Sequence, residues 1–564
     1  MEYVKKFITI FRSKAVYDVI RWSKCVHGML ALICILNVLL SLGSLGVTLL
    51  TKELVDGTVS HGMDALWRYG ALLAALLLAL TLLDTLLSSI EVRASARLQR
   101  SLQKMFSSAL MAKDYASIKG YHSGELVNRF FSDLKIIKNG VMNILPSLFS
   151  SIISLIGASA ILIAMDWRFV GLLLIGGVMG LALVALFHAP MKKRHKRRRE
   201  AEEALHVAVQ EALENIRLIK AGLSEKRTLF KVGIRQEGVE REQIQQGRFS
   251  ILMNRGLGLV YDLSWFICMI WGCWGIFNGR LTYGSLAAMI HLIGRVEGPI
   301  MGAFKLARDA YGVVSSAERI QELTGLPEET EGEALSDFDE IKLENVSFRY
   351  DDGAEDVLRD VSCVIHRGDF TAVTGISGGG KTSLFQLLLG IYRPTAGQVL
   401  FLSGEKAVPA SRGTRQLFAY VPQGNTLFSG TLKENLLLFT DGATDAEIDE
   451  AVQCACIDDL IGEIGLDAVL GERGVGLSEG QAQRVAIARA LLSKAPVLLL
   501  DESTSALDEE TEAKLLKNIS ALRSKTCLIV THRKAALSIC GRRLHIAEGK
   551  MTQEDKACST ALPI

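Results

Sequence analysis

The chain has 564 residues, 49% of them hydrophobic, with 63 Lys and Arg against 61 Asp and Glu for a net charge of +2. That balance excludes bulk electrostatic attraction to nucleic acid, and at about 150 residues per domain the length is too great for a single core. The ten cysteines are scattered with no CxxC pair and no histidine at metal-ligand spacing, so they read as reduced structural thiols.

Residues Met1 to Lys24 are mixed and charged and carry no small-residue cleavage site, so the first apolar run is expected to stay as a membrane anchor. No peptidase-like domain is expected ahead of it. Crossing a bilayer as a helix takes about 20 apolar residues. Six segments qualify: Val26 to Leu50, Leu66 to Ser89, Met142 to Met165, Phe169 to Phe187, Leu257 to Phe277 and Leu286 to Phe304, the last being the most polar.

Basic residues flank alternate ends of these spans, and Lys and Arg are retained on the cytoplasmic side. The N-terminus (Lys5, Lys6, Arg12, Lys14, Arg21, Lys24), the loop after the second span (Arg93, Arg97, Arg100, Lys104) and the loop after the fourth are therefore expected inside. The short connection Asp166, Trp167, Arg168 falls outside. The long inner connections, Glu91 to Gly140 and Met191 to Arg255, have helical composition and are expected to prolong the membrane helices. The run MKKRHKRRRE (191–200) reads as a topology-setting stop just past an apolar span rather than a nucleic-acid patch. Asp84, His291, Arg295 and Glu297 lie within or beside spans. Ionisable groups there either line a water-filled path or sit at headgroup level and pair between helices, and both readings stay open.

After Leu323 the composition changes, and LPEETEGEALSDFD (326–339) is acidic, turn-rich and without apolar periodicity, which marks a linker. Beyond it, short β-type runs (Ile341 to Tyr350, Phe370 to Thr374, Val497 to Leu500, Thr526 to Val530) alternate with helical stretches, as in an α/β domain.

The segment GISGGGKT (375–382) is a full match to GxxxxGK[ST], directly after a strand and before a helical run. Gly375, Gly378, Gly379 and Gly380, with Ser377 between them, let backbone N–H groups wrap phosphates at a helix N-terminus. Lys381 would reach the outer phosphates of a bound triphosphate, and Thr382 would give its hydroxyl to Mg²⁺, which prefers hard oxygen ligands. The run PVLLLDE (496–502) is a buried strand ending in two carboxylates. Asp501 fits a second Mg²⁺-linked position, and Glu502 would orient or deprotonate the attacking water.

With these motifs in order, the sequence resembles the ATP-binding cassette (ABC) transporter superfamily, specifically its half-transporter exporters. The resemblance covers nearly the whole chain, and its most specific element is LSEGQ (477–481) followed by AQRVAIARALL. It implies an all-α domain of six transmembrane helices over 1–325, the linker 326–339, and an α/β P-loop NTPase cassette over 340–564. It further implies that Tyr350 stacks on adenine, that Ser383 follows the phosphate loop into the ATP site, and that Gln423 touches nucleotide and Mg²⁺. STSALD (503–508) resembles the D-loop, and His532 in THR is the switch histidine. In a head-to-tail pair, Ser478, Gly480 and Gln481 of one chain would cover ATP held by the other. HSGELVNRFFSDL (122–134) and NIRLIKAGLSE (215–225) resemble the two coupling regions that dock against cassettes.

Glu479 replaces a more usual glycine, Gly424 stands where an acidic residue is common, and Ser503 replaces alanine, but no ligand or base is lost. The expected function is an ATP-hydrolysing exporter of a small amphipathic molecule, peptide or lipid, embedded in a bilayer, with a second half-transporter as partner and no nucleic acid. A homodimer can supply two complete sites, and a heterodimer stays open. Compact size points to a bacterial inner membrane with the N-terminus and ATPase domain cytoplasmic. Two other functions stay open on sequence: a slowly hydrolysing regulatory half of a heterodimer, and an ATP-gated channel or sensor.

Overall fold

The computed structural model describes residues 14–555 apart from 351–352, 354, 425, 441, 472–473 and 523–524. Within the helices it leaves aside the side chains of 170, 172–181, 183–185, 188–189, 192, 257, 297, 300–301 and 304, and that of strand residue 555. Lys5, Lys6, Arg12, Cys558, the Glu297 side chain and most side chains of the fourth predicted span lie outside the described residues. The chain forms two units, one of Met1–Ala109 with Ser123–Thr324, the other of Leu110–His122 with Gly325–Ile564.

The first unit is helical. Its long elements are α1 (His27–His61), α2 (Met63–Met111), α3 (Leu134–Glu214), α4 (Glu225–Phe277) and α5 (Tyr283–Thr324). Among the described residues, Lys24–His61, Met63–Met111, Ser123–Phe169 and Glu225–Phe277 are long and apolar enough to cross a membrane. The sixth predicted span lies in α5 and is not among these four. α3 is broken at Asp166, whose φ of −157° and ψ of 102° are extended rather than helical. The Asp166 carboxylate accepts the Arg168 N–H at 3.0 Å and the Trp271 indole N–H at 2.9 Å, so the predicted tight connection between spans three and four is tied to α4.

Packing between these helices depends on small residues where backbones approach. A Cβ on Gly157 of α3 would lie 2.3 Å from a Leu45 methyl of α1. Leu45, Ala158, Leu162, Phe169, Cys268, Met289, Leu292 and Ile293 form the buried cluster at this crossing. On the opposite side of α5, His291 and Arg295 are exposed, as is Asp84 on α2.

The second unit carries two main sheets. β1 (Glu340–Phe348), β2 (Leu358–His366), β4 (Ala396–Ser403) and β5 (Lys406–Pro409) form an antiparallel sheet in the order β2-β1-β4-β5. The other sheet contains β3 (Phe370–Gly375), β6 (Phe418–Val421), β7 (Val497–Asp501), β8 (Thr526–Val530), β9 (Arg542–Ala547) and β10 (Lys550–Asp555) in the order β10-β9-β3-β8-β7-β6. β9, β3, β8, β7 and β6 run parallel, and β10 closes one edge antiparallel to β9. β7 and β8 are buried along their whole length, as uninterrupted apolar runs require in a parallel sheet. Helices α6 (Lys381–Leu388), α7 (Glu479–Leu492) and α8 (Glu509–Ala521) accompany this sheet.

The segment Leu110–His122 groups with this second unit although the sequence places it inside the membrane half. Glu329 N–H donates to Ala112 O at 3.0 Å, Asp114 N–H donates to Pro327 O at 3.1 Å, and buried Lys113 pairs with Glu328 at 3.2 Å. The adjoining Ser123–Asp133 stretch belongs to the helical unit, as the sequence-based domain division has it. Its buried Asp133 accepts from Arg319 and Ser316 of α5, and its buried Arg129 donates to Glu125 and to Arg319 O. Charges that leave water need such partners close by, and here α5 supplies them.

A candidate phosphate cradle and paired carboxylates at the strand ends

Register in the parallel sheet brings the carboxyl ends of β3, β8, β7 and β6 together: Val373 lies opposite Val530, Val530 opposite Asp501, and Leu500 opposite Val421. Loops leaving these ends carry Ser377 to Lys381, Gln423, Glu502 and His532, at the place where open α/β sheets bind ligands, whereas Tyr350 follows β1 and Ser478, Gly480 and Gln481 open α7.

The loop after β3 wraps tightly because its glycines have no side chain to place. Gly375 has φ of 148°, and a Cβ there would sit 2.2 Å from Ile546 O of β9. Gly380 has φ of 99° and caps the N-terminus of α6, so the exposed N–H groups and the positive end of that helix face the loop. Lys381, 5% exposed, donates to Gly375 O at 2.8 Å and Ile376 O at 3.0 Å, and its Nζ lies 3.2 Å from His532 Nε2. The phosphate-loop lysine and the histidine at the end of β8 are thus already neighbours.

Asp501 is 1% exposed, and burial pushes its carboxyl above the usual carboxylate range, against hydrogen bonding from Thr382 and Tyr420 and with added repulsion from Glu502. The Tyr420 hydroxyl donates to Asp501 Oδ2 at 3.4 Å. Glu502 follows with a left-handed backbone, φ 48°, which turns the chain sharply out of the strand. Its N–H donates to Val530 O at 3.2 Å, and its carboxylate accepts from the Gln423 amide at 2.7 Å. Backbone strain of this kind persists only where the surroundings hold it, and it collects at functional sites.

Ser478 caps α7: its hydroxyl accepts the Gln481 N–H at 3.2 Å while the Gln481 side chain accepts the Ser478 N–H at 2.8 Å, a capping box. A Cβ on Gly480 would lie 2.9 Å from Ala506 O, so only glycine lets the α7 start press against 503–508. Among the described residues, no hydrogen bond joins Ser478, Gly480 or Gln481 to the phosphate loop. Tyr350 donates to Gln386 Oε1 at 3.1 Å and lies 2.8 Å from Ser383 Oγ, so its ring edge rests on α6.

Four positioning contacts escape sequence reasoning. Arg533, next to His532, donates to Glu512 at 3.1 Å, to Leu507 O at 2.6 Å and to Ser505 O at 2.8 Å. Fully buried Glu512 also accepts from Thr504 at 2.7 Å. Gln483 of α7 accepts from Ala506 N–H at 3.1 Å and lies 3.3 Å from Ser505 Oγ. Arg489 holds Thr426, three residues past Gln423, through its carbonyl at 3.0 Å and hydroxyl at 2.9 Å. The only sequence signal for these was adjacency to motifs: Arg533 ends THR, and Gln483 and Arg489 lie in AQRVAIARALL.

This fold and loop set agree with comparison to known proteins. The sequence model described as ABC transporter matches residues 358–505, and that described as ABC transporter transmembrane region matches residues 30–299. The chain belongs to the ABC transporter family. A Bacillus subtilis relative, the uncharacterized ABC transporter ATP-binding protein YfiB, is 29% identical over 525 residues, 90% of this chain and 89% of the relative. The multidrug resistance ABC transporter ATP-binding and permease protein of Lactococcus lactis subsp. lactis is 28% identical over 77% of this chain and 75% of its own length. A solved bacterial Atm1-family ABC exporter with ATP bound superposes with a TM-score of 0.80, covering 94% of this chain and 96% of that one at 23% identity, which shows the shared fold. This ABC transporter is therefore a half-transporter exporter, an integral membrane protein with a helical transmembrane domain and an ATP-binding cassette, and its ATPase is coupled to transport.

Proposed function

We propose that this ABC transporter hydrolyses Mg-ATP at sites shared between two copies of the chain and uses the cycle to export an amphipathic small molecule, peptide or lipid by alternating access. The observation that supports this reading is the joint placement of Lys381 beside His532 and of Gln423 on Glu502, at one edge of one sheet.

In this reading the Gly375–Gly380 loop and the α6 N-terminus bind the phosphates, and Lys381 exchanges its carbonyl partners for phosphate oxygens. Thr382 and Asp501 offer the hydroxyl and carboxylate oxygens that suit Mg²⁺, and Gln423 adds a side-chain oxygen. The metal, when bound, neutralises charge on the phosphates. Glu502 takes the proton of the attacking water or orients it, released from its hydrogen bond to Gln423. His532 steadies the outer phosphate next to Lys381. Ser478, Gly480 and Gln481, at the positive end of α7, cover the ATP held by the partner, so neither chain closes a site alone. Tyr350 offers its ring to adenine.

The half-transporter families act as dimers, and a homodimer suffices here because each chain carries both half-sites. The bacterial relatives and the basic flanks support placement in a bacterial inner membrane with the cassette inside. The deciding experiment is steady-state ATPase of the purified full chain in lipid, with a panel of drugs, peptides and lipids. Turnover that Lys381→Ala and Glu502→Gln abolish, and that a panel member stimulates, is expected. Negligible turnover unchanged by Glu502→Gln assigns the chain a regulatory role instead.

A further inference from the structure

The short helix Tyr115–Ile118 and the residue that ends it, Lys119, lie against the same aromatic ring that the proposed function gives to adenine. Lys119 Nζ stands over the Tyr350 ring, 4.3 Å from its centroid, and 5.9 Å from that of Tyr392. The Tyr350 and Tyr392 centroids are 5.3 Å apart with planes at 89°. Together these three distances place Tyr392 beside the edge of Tyr350, whereas the ammonium lies over its face. Phe348 meets the same ring at 4.8 Å and 77°.

The ring and the backbone that carries the lysine are both held in place. The Tyr350 hydroxyl is bound to Ser383 and Gln386 at 2.8 and 3.1 Å, which anchors the end of the ring axis, and the Phe348 and Tyr392 rings pack against the ring itself. Lys119 is delivered by a docked segment: its N–H donates to Tyr115 O at 3.0 Å, and the Tyr115 ring meets Tyr392 edge-on at 6.0 Å. Ala116 packs on the apolar cluster beneath, and the Lys113–Glu328 pair anchors the start. A ring face holds one stacked partner, so a base that stacks on this face of Tyr350 has to displace the cation attracted by its quadrupole.

We propose that Lys119 sets nucleotide affinity by competing with the adenine ring for the face of Tyr350, so that base stacking displaces the Lys119 ammonium from the ring. The contact joins residues 231 positions apart in sequence, by the numbering of Lys119 and Tyr350. Selectivity follows from the chemistry: only a ligand with a stacking base has to displace Lys119, and a bare polyphosphate does not. This inference rests on the reading of Tyr350 as the base platform.

The test is equilibrium binding of Mg-ATP and of Mg-tripolyphosphate to the full chain in lipid nanodiscs, for wild type, Lys119→Ala, Lys119→Gln, Lys119→Arg and Tyr350→Ala. A cation–π contact at an exposed site corresponds to about a two- to fivefold change in affinity. Lys119→Ala and Lys119→Gln are expected to tighten Mg-ATP by about that factor while leaving tripolyphosphate unchanged, and Lys119→Arg to behave as wild type. Tyr350→Ala is expected to weaken Mg-ATP and to erase the gain from Lys119→Ala in the double variant. Unchanged or weaker ATP binding in both neutral variants, with Tyr350→Ala still costly, overturns the competition alone. An equal shift for ATP and tripolyphosphate overturns it too, by showing a plain charge effect. If Tyr350→Ala leaves ATP affinity untouched, the stacking reading itself fails.

Discussion

Gln423 donates its side-chain amide to the Glu502 carboxylate at 2.7 Å, joining the loop after β6 to the residue that leaves β7 in a left-handed turn. The amide therefore restrains the group proposed to handle the attacking water, and it sits on a loop that Arg489 holds through Thr426. A signal that reaches this loop reaches the Glu502 carboxylate directly.

Removing the carboxylate charge separates binding from turnover. Glu502→Gln is expected to keep Mg-ATP affinity within about threefold while cutting phosphate release by about 10²- to 10⁴-fold, the usual contribution of a general base. Gln423→Ala keeps the base but loses the side-chain oxygen proposed to face Mg²⁺, so a smaller loss, about tenfold, is expected. Rapid-quench phosphate release beside equilibrium ATP binding measures both. Equal losses in binding and turnover for Glu502→Gln would count against its role.

Arg533 and Glu512 give a second prediction. Glu512 is fully buried and its two oxygens are used by Arg533 and Thr504. Arg533→Ala leaves that carboxylate buried without its cation, at a cost of about 3–5 kcal/mol. Making Glu512→Gln in the same chain is expected to recover a large part of it, because the stranded charge is gone. Thermal melting of the purified chain reads this order of stabilities. A double variant less stable than Arg533→Ala alone refutes the account.

How much of this was legible beforehand depends on the distance over which each feature is encoded. The phosphate loop, the Asp501–Glu502 strand end and the break at Asp166 are local: each is set by residues within one turn or one strand. The same holds for the four stretches that are long and apolar enough to cross a membrane, whose length alone separates them from core helices. By contrast, Arg533 with Glu512, Gln483 with 503–508, and Lys119 with Tyr350 join segments whose meeting is fixed only by the topology of the sheet and its loops. No spacing rule reaches across them. The assignment of 110–122 to the cassette unit was hidden for the same reason, because its ties are backbone hydrogen bonds to 327 and 329 and side-chain contacts of Lys113, Tyr115 and Lys119 with distant residues.

Ser478 and Gln481 carry a third prediction. Their reciprocal hydrogen bonds close the start of α7, so Ser478→Ala is expected to cost about 1 kcal/mol of cassette stability, and Ser478→Thr much less. If Ser478 also covers the partner's ATP, turnover in Ser478→Ala falls further than the lost stability explains. Chemical denaturation and ATPase measured on the same preparation distinguish the two effects. Full activity with reduced stability limits Ser478 to capping.

Asp501 supplies a prediction whose sign follows from its burial. Desolvation raises its carboxyl above the ordinary value, so the charged form is the costly one in the fold. A group raised in this way gives its full stability below the unfolded carboxyl pKa, about 3.9, and loses it as pH climbs through the higher folded value. Asp501→Asn is neutral at every pH and keeps an oxygen for Thr382 and Tyr420. Without nucleotide or metal, its melting temperature is therefore expected to rise relative to wild type as pH increases from about 4 to about 8. Adding Mg-ATP should reverse the order, because the carboxylate that burdens the empty fold is the one suited to the metal. Melting curves across that pH range, with and without Mg-ATP, check both halves. A gap that stays constant with pH denies the buried charge, and a gap that Mg-ATP leaves in favour of Asn denies Asp501 its place at the metal.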